Sequence, residues 1–364
     1  MTARIVLLGA TGYTGGLVLD ALLDRGLTPV LAGRNRNALA AIAERHGDLE
    51  CAVADVTDAA QLAKLVHSGD VLITTVGPFE RFGHNVARAA ADSGAHYIDT
   101  TGEVGFVADL RRDLHERARE TGSLMLPAFG YDYVPGILAA TLAVRQAGVA
   151  VRSIDVGYFA TGPLWRGLSQ GTRTTMRDGL TLPSLLWHQH RLVERRTASE
   201  VHSFTVRGQR RNAFLVSGTE VLFLPEEFPA LDSVTVYNGW FPSLSRPISA
   251  MSALSAAATR IPFGRKLVDV TTRPLVGPPG GPDAAERART RTHVAAVASS
   301  DSAPLAEVHV EGPSSYSLTG ELIAWAAQQL QQHGASVAGV VGPVAAFGFD
   351  TLRAGCADVG LVPV

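Results

Sequence analysis

Three glycines stand three apart near the start of the chain, Gly9, Gly12 and Gly15 in "GATGYTG", directly after the apolar run "IVLL". Glycine in such a turn permits a sharp bend, lets backbone approach a pyrophosphate, and lets the following helix pack tightly on a strand. A helix starting there offers unpaired N–H groups and the positive end of its dipole to phosphate oxygens. Thr11 and Thr14 add hydroxyls and Tyr13 completes the loop, so residues 9–15 are expected to cradle a dinucleotide. The middle glycine comes one place later than in the common G-x-G-x-x-G pattern, and a bare tight turn would use the same residues. The cofactor is chosen at the end of the second apolar run, where "LAGRN" places Arg34. A carboxylate there would accept from the free ribose 2′-hydroxyl of NAD. A guanidinium instead suits a 2′-phosphate through forked, charge-assisted bonds, with Arg36 in support, so NADP is the expected cofactor. Asp55, in "VADVTD", is expected either to hold an adenine amino group or to cap a helix together with Thr57 or Asp58.

Other chemistries are poorly served. Proton transfer beside a glycine turn of this kind often uses a Tyr-x-x-x-Lys pair. Lysine occurs only at 64 and 266, and the residues four places earlier are Ala60 and Pro262, which excludes the ordinary short-chain dehydrogenase mechanism. His188 and His190 form an H-x-H pair in an expected helical block; residues two apart on a helix point to different sides, so no metal site is expected. No G-x-S-x-G elbow occurs, which argues against an α/β-hydrolase.

The elements that must position these groups alternate. Apolar runs at 5–8, 29–32, 51–54, 71–76, 97–99 and 124–127 read as strands, and 15–25, 36–45, 59–66, 84–93 and 107–121 carry helix spacing. Leu39, Ile42 and Ala43, for instance, share one face of 36–45. This alternation predicts an α/β fold with a doubly wound parallel sheet. After about residue 150 the pattern changes. Segments 151–159, 200–207, 213–217, 220–224 and 234–237 read as short strands, with "SGTE" as a tight turn, and 172–196 reads as a helical block. Segments 292–298 and 305–311 predict an antiparallel pair, 248–261 a packed helix, and 276–283 a Gly/Pro loop. A second α+β domain with a mixed or antiparallel sheet follows. The C-terminal stretch returns to helix, most clearly at 322–330.

Hydrophobic residues make up 46% and charged residues 18% of the 364, enough for a buried core. A net charge of −2 provides no basic face for nucleic acid. Cys51 and Cys356 are the only cysteines and lie far apart, which suits a reducing compartment. No apolar run reaches the roughly 18–20 residues needed to span a bilayer. A soluble, cytoplasmic protein with no integral membrane segment is therefore expected.

Several blocks together carry a resemblance. They are "GATGYTG" at 9–15, "AGRN" at 32–35, "TTVGPFERFGHNVARAAADSGAHYIDTTGE" at 74–103, "PAFGYDYVPG" at 127–136, and the tail "EGPSSYSLTGELIAWAAQQL" with "GVVGPVAAFG". With these the chain resembles the saccharopine dehydrogenase (saccharopine reductase-like) family, including its trans-acting enoyl reductase-like members. The resemblance is strong over 1–136, visible again at 311–348, and weak over 150–310. It implies a Rossmann-like domain over 1–150 that binds NADP, a substrate and dimerisation domain over 151–311, and C-terminal helices over 312–364 that complete the first domain. It also implies a homodimer acting on a small molecule, by hydride transfer with NADP(H) to or from a C=N or polarised C=C bond. Many relatives read G-F-D-S-V-P-S-D where this chain has "GYDYVPGI", so Tyr133 and Gly136 replace serines.

Loops at the carboxyl ends of strands line the ligand cleft in open α/β sheets. On that logic Val76, Gly77, Pro78 and Phe79 form the turn beside the nicotinamide, with Phe79 walling the ring. Glu103, Tyr131 and Asp132 end the next strand motifs and are the candidates for substrate contact or proton relay, although Glu103 and Asp132 could equally serve a cap and a turn. Ser169 and Thr172 could hydrogen-bond a substrate, with helix capping as the competing role. The alternative to a reductase is a non-catalytic NADP(H)-binding sensor or scaffold.

Overall fold

The computed structural model describes residues 3–162, 168–179, 182–258 and 280–364. Lys266, the end of the expected 248–261 helix and the first part of the 276–283 loop lie outside them. The chain divides into two compact units, Met1–Val134 with Ser315–Val359, and Pro135–Ser314 with Gly360–Val364.

The chain alternates from its start through β1 (Ile5–Leu8), α1 (Tyr13–Asp24), β2 (Val30–Gly33), α2 (Arg36–Arg45), β3 (Cys51–Val53) and α3 (Ala59–Leu65). It continues through β4 (Val71–Thr74), α4 (Phe79–Ser93), β5 (His96–Asp99), α5 (Val104–Thr121) and β6 (Leu124–Leu126). The second unit follows with α6 (Val134–Ala147), β7 (Ser153–Thr161), α7 (Gln170–Gly179), β8 (Pro183–His188), β9 (Arg191–Arg196), β10 (Val201–Val206) and β11 (Gln209–Val216). Then come α8 (Glu220–Glu227), β12 (Ser233–Asn238), α9 (Ser245–Ala258), α10 (Ala284–Ala288), β13 (Arg291–Ser299) and β14 (Pro304–Gly312). The last elements are α11 (Ser315–His333), β15 (Gly339–Val340), α12 (Pro343–Phe347), α13 (Phe349–Asp358) and β16 (Val362–Pro363).

The first unit is a seven-stranded parallel sheet in the order β15-β6-β5-β4-β1-β2-β3. β1 and β4 are buried along their whole length, as parallel strands covered on both faces must be, which explains their unbroken apolar runs. The strand order reverses between β1 and β4, and that switch point opens a crevice at their carboxyl ends. α11 lies along α1, and the missing side chain of Gly320 lets it approach the Leu17 carbonyl.

The second unit is a mixed sheet in the order β10-β11-β12-β7-β13-β14-β16, with the β8–β9 hairpin beside β12. β12 and β7 are parallel; the other pairs are antiparallel. β16 pairs with β14, which is why the final residues belong to this unit. Two expectations fail here. The block 172–196 is helical only as far as Gly179; beyond it the chain forms β8 and β9, joined through Gln189 and His190, both at positive φ. Pairing with β12 and the bond from Trp187 Nε1 to the Leu231 carbonyl (3.0 Å) fix that hairpin. The H-x-H pair is therefore a strand end and a turn, not two helix positions. Residues 220–224 form the first part of α8 instead of a strand, and all five are buried. The four consecutive apolar residues after Glu220 carry no period, so they fit either element. Among the described residues no helix is long and apolar enough to cross a membrane.

Candidate functional site

The glycine loop joins β1 to α1. Gly9 has φ +99°, which favours glycine, and its carbonyl accepts from Gly12 N at 2.9 Å. A Cβ on Gly15 would collide with that same carbonyl, so the helix start and the turn are packed backbone to backbone. Gly12 occupies the N-cap of α1 with no side-chain cap, and no acidic residue lies in the first turn. The positive end of this helix therefore faces no side-chain cap and no acid of its own first turn. Thr11 and Gly12 are exposed, Tyr13 and Thr14 half-buried, and Tyr13 packs edge-on to Tyr316 of α11 at 5.3 Å.

Arg34 and Arg36 are exposed just beyond β2, on either side of Asn35, whose side chain caps α2 through Ala38 N at 3.1 Å. Asp55 is not a helix cap. Its Oδ1 accepts from the Thr57 N–H and hydroxyl at 2.8 and 2.7 Å, while Asp58 caps α3 through Ala60 N and Gln61 N. The Thr57 bonds, with Arg34 at longer range, hold the Asp55 carboxyl below its ordinary value. That keeps an anionic acceptor on the Arg34 side of the sheet.

The turn 76–79 leaves β4 through a cis Gly77–Pro78 bond and starts α4 at Phe79. It touches the glycine loop, because a Cβ on Gly9 would meet Thr75 Oγ1 at 2.6 Å and Val76 Cγ2 at 2.9 Å. Val76 and Pro78 are half-buried and Gly77 exposed, but the Phe79 ring turns inward against Phe106, centroids 5.7 Å apart. Glu103 holds this turn. Its two oxygens accept from Phe79 N and Glu80 N, both at 2.9 Å, so it caps α4 across the sheet and makes no side-chain cap on its own helix α5. Glu80 returns the favour by accepting from Phe106 N in α5. With both oxygens engaged by backbone, Glu103 suits positioning better than proton transfer.

A chain of bonds supports Glu103 from below. Asp99, fully buried at the end of β5, accepts through Oδ1 from Thr101 N and Ala128 N, both at 2.8 Å, and Thr101 Oγ1 accepts from Glu103 N at 3.0 Å. Burial pushes the Asp99 carboxyl up to about 6. The Tyr97 hydroxyl faces this carboxylate and offsets part of the rise. Asp132 stands over the same turn, its Oδ2 3.4 Å from the place of a Cβ on Gly102. Asp132 reaches solvent, yet the protein around it displaces enough bulk water to push its carboxyl up to about 6. Tyr131 is buried, with its N–H bonded to Thr319 Oγ1 at 3.1 Å. The loops after β1, β4, β5 and β6 thus bring Gly9–Gly15 residues, the 76–79 turn, Glu103 and Asp132 to one end of one sheet.

Ser169 and Thr172 belong to the other unit of the chain. There Ser169 Oγ accepts from Thr172 N at 3.2 Å at the start of α7, a capping arrangement. The second unit also contains a polar lock that sequence reasoning missed. The Tyr158 hydroxyl donates to buried Glu220 at 2.5 Å and accepts from Gly136 N, in the first turn of α6, at 3.1 Å. A Cβ at Gly136 would collide with both partners, so this lock requires glycine there. Among the described residues Glu80, His84 and Asp109 form the one group able to hold a metal, their ligand atoms all within 4.8 Å. Arg112 already supplies this group with a cation, its Nη1 lying 2.6 Å from Asp109 Oδ1.

Residues 5–126 match the saccharopine dehydrogenase NADP-binding domain. A trans-acting enoyl reductase of Mycobacterium ulcerans is 35% identical over 150 residues, covering 40% of this chain and 36% of that protein. A probable mitochondrial saccharopine dehydrogenase-like oxidoreductase of Arabidopsis thaliana is 34% identical over 157 residues, covering 39% of this chain and 35% of that protein. The chain therefore spans little more than a third of the length of these two relatives. The solved structure of apo saccharopine dehydrogenase (L-Glu forming) of Saccharomyces cerevisiae aligns over 100% of this chain and 99% of its own, with a TM-score of 0.63 at 13% identity, a likeness of fold. Over residues 5–126 the chain carries the NADP-binding domain of the saccharopine dehydrogenase family.

Proposed function

We propose that this protein is an NADP(H)-dependent reductase that acts on a C=N or polarised C=C bond of a small metabolite. The observation that carries this reading is the N-terminus of α1, with no side-chain cap and no acid in its first turn, lying against a 76–79 turn that Glu103 holds rigid. The residues fit the cofactor. Gly9, Gly12 and Gly15 let the loop fold tightly against the helix start and the 75–76 backbone, and Thr11, Tyr13 and Thr14 line its outer side. Arg34, with Arg36, receives the 2′-phosphate, and Asp55 faces the adenine side. Val76, Gly77 and Pro78 offer backbone to the nicotinamide ribose, while Phe79 anchors the turn from inside.

When bound, NADPH supplies hydride; the protein orients it and manages the proton. Asp132 is the group best placed for that proton, since a solvent-reachable carboxyl raised to about 6 holds one close to neutral pH. Tyr131 fixes the loop that carries it. The second unit serves as the substrate and dimerisation domain, and the working assembly is a cytoplasmic homodimer. Relatives named as enoyl reductases favour the C=C bond, and the saccharopine dehydrogenase likeness favours C=N. One observation favours the sensor reading instead: both oxygens of Glu103 are already taken by backbone N–H groups.

The test is NADPH oxidation, followed by absorbance, against a panel of cyclic imines, amine–oxoacid mixtures and enoyl thioesters. Turnover in either class supports the reductase and names the bond. Tight NADPH binding without oxidation in any class would overturn it in favour of the sensor.

A further inference from the structure

The second unit contains a cavity of about 750 Å³ lined by none of the residues assigned to the cofactor. It lies where β7, β10 and β12 end and β11 begins. Its apolar surface comes from Phe159, Trp240 and Phe241. Phe159 is fixed edge-on against Phe204, centroids 5.6 Å apart. Two glycines shape the space. A side chain on Gly239 would collide with the Phe159 ring, and Gly162, at φ +107°, lets the Arg289 carbonyl come close where a Cβ would block it.

The polar groups at the rim are unequal. Arg207 is neutralised by a two-pronged pair with Glu311, both bonds 2.6 Å. Glu286 is the one carboxylate in the lining, and it is spent in a capping box, accepting from Asp283 N at 3.1 Å. Arg211 donates to neutral Gln209 at 2.7 Å, and among the described residues neither it nor Arg289 has a carboxylate partner. Both arginines are exposed at the surface. Ligand pockets are typically of this size, mostly apolar, with a few convergent polar groups. A guanidinium presents a planar fork that matches a carboxylate or phosphate.

We infer that this cavity binds a small organic anion, its aromatic or acyl body on Phe159, Trp240 and Phe241 and its acid group on Arg211 and Arg289. Recognition then has two separable parts, an apolar contact that ignores charge and a rim that requires it.

The probe is anilinonaphthalene sulfonate, titrated into the full chain by fluorescence beside its neutral relative N-phenylnaphthylamine. In the double variant Arg211→Gln, Arg289→Gln the sulfonate should bind roughly tenfold more weakly while the neutral probe changes by less than about twofold. Unchanged sulfonate binding, or equal loss for both probes, overturns the inference. Naphthoate and naphthyl phosphate are then added as competitors. Displacement by one of them identifies the head group as carboxylate or phosphate, and displacement by neither overturns the inference as well. No turnover is needed, so the result stands apart from the reductase reading.

Discussion

α1 and α4 both begin at the carboxyl ends of strands, β1 and β4, that lie side by side in the first sheet. Each must find acceptors for its leading N–H groups, and each carries the positive end of a helix dipole. α4 receives a carboxylate from the protein itself, Glu103 reaching from the end of β5. α1 receives none: its cap is Gly12 and its first turn has no acid. The same electrostatic demand is met by a carboxylate at one helix and by none at its neighbour. The first is scaffold, and the second is the proposed place for a phosphate.

The largest effect should come from closing the open terminus. Gly15→Val drives a side chain into the Gly9 carbonyl and is expected to lower NADPH affinity by roughly a hundredfold or more, read by fluorescence titration. Near-normal binding would break the contrast, since α1 would then not be the phosphate site. Opening the closed terminus comes next. Glu103→Ala strands two N–H groups and should cost about 2–3 kcal/mol of unfolding free energy. Glu103→Gln keeps one acceptor and should recover about half of that. If the glutamine variant regains stability but no turnover, Glu103 carries a proton and is more than a clamp.

The support beneath the clamp titrates. The Asp99 carboxyl is raised to about 6 in the folded protein, above the ordinary aspartate value of about 3.9 in the unfolded chain. Stability from this residue is therefore complete below about pH 4 and is lost as pH rises through about 6, on the order of 3 kcal/mol in all. Asp99→Asn keeps the Oδ1 acceptor and cannot ionise, so denaturant melts at pH 5 and 8 should show the variant gaining on the parent at the higher pH. A parallel pH dependence in both proteins would show that Asp99 is not the titrating support. The smallest effect concerns selectivity. Arg34→Asp should weaken NADP by about tenfold more than NAD, because attraction to the 2′-phosphate becomes repulsion. Equal losses for the two cofactors would remove Arg34 from the phosphate contact.

Much of the first unit was legible because strands such as β1 and β2 are short apolar runs between polar turns, and the helices announce themselves with caps such as Asn35 and Asp58. The helices at 84–93 and 107–121 were read too short at their starts. α4 begins at Phe79 and its cap, Glu103, lies beyond β5, out of reach of any local pattern. Likewise Asp55 and Asp58 were interchangeable as caps in sequence, and only the Thr57 bonds separated them. The second unit was harder. Its hairpin at Gln189 and His190 turns through positive φ without glycine or asparagine, so no turn signal marked it. The run at 220–224 is buried on every side and has no period to read.

By itself, the sequence determined the parallel sheet, the glycine turn between β1 and α1 and the place of Arg34 just after β2. These rest on local spacing, a property the chain carries before it folds. Tertiary structure alone decided that Glu103 serves α4, that Asp99 underpins it, that Gly136 makes room for Tyr158 and Glu220, and that aromatic and arginine residues scattered from 159 to 289 share one cavity. Those relations join residues distant along the chain, and only burial in a common framework sets which polar groups meet and which are left for a ligand.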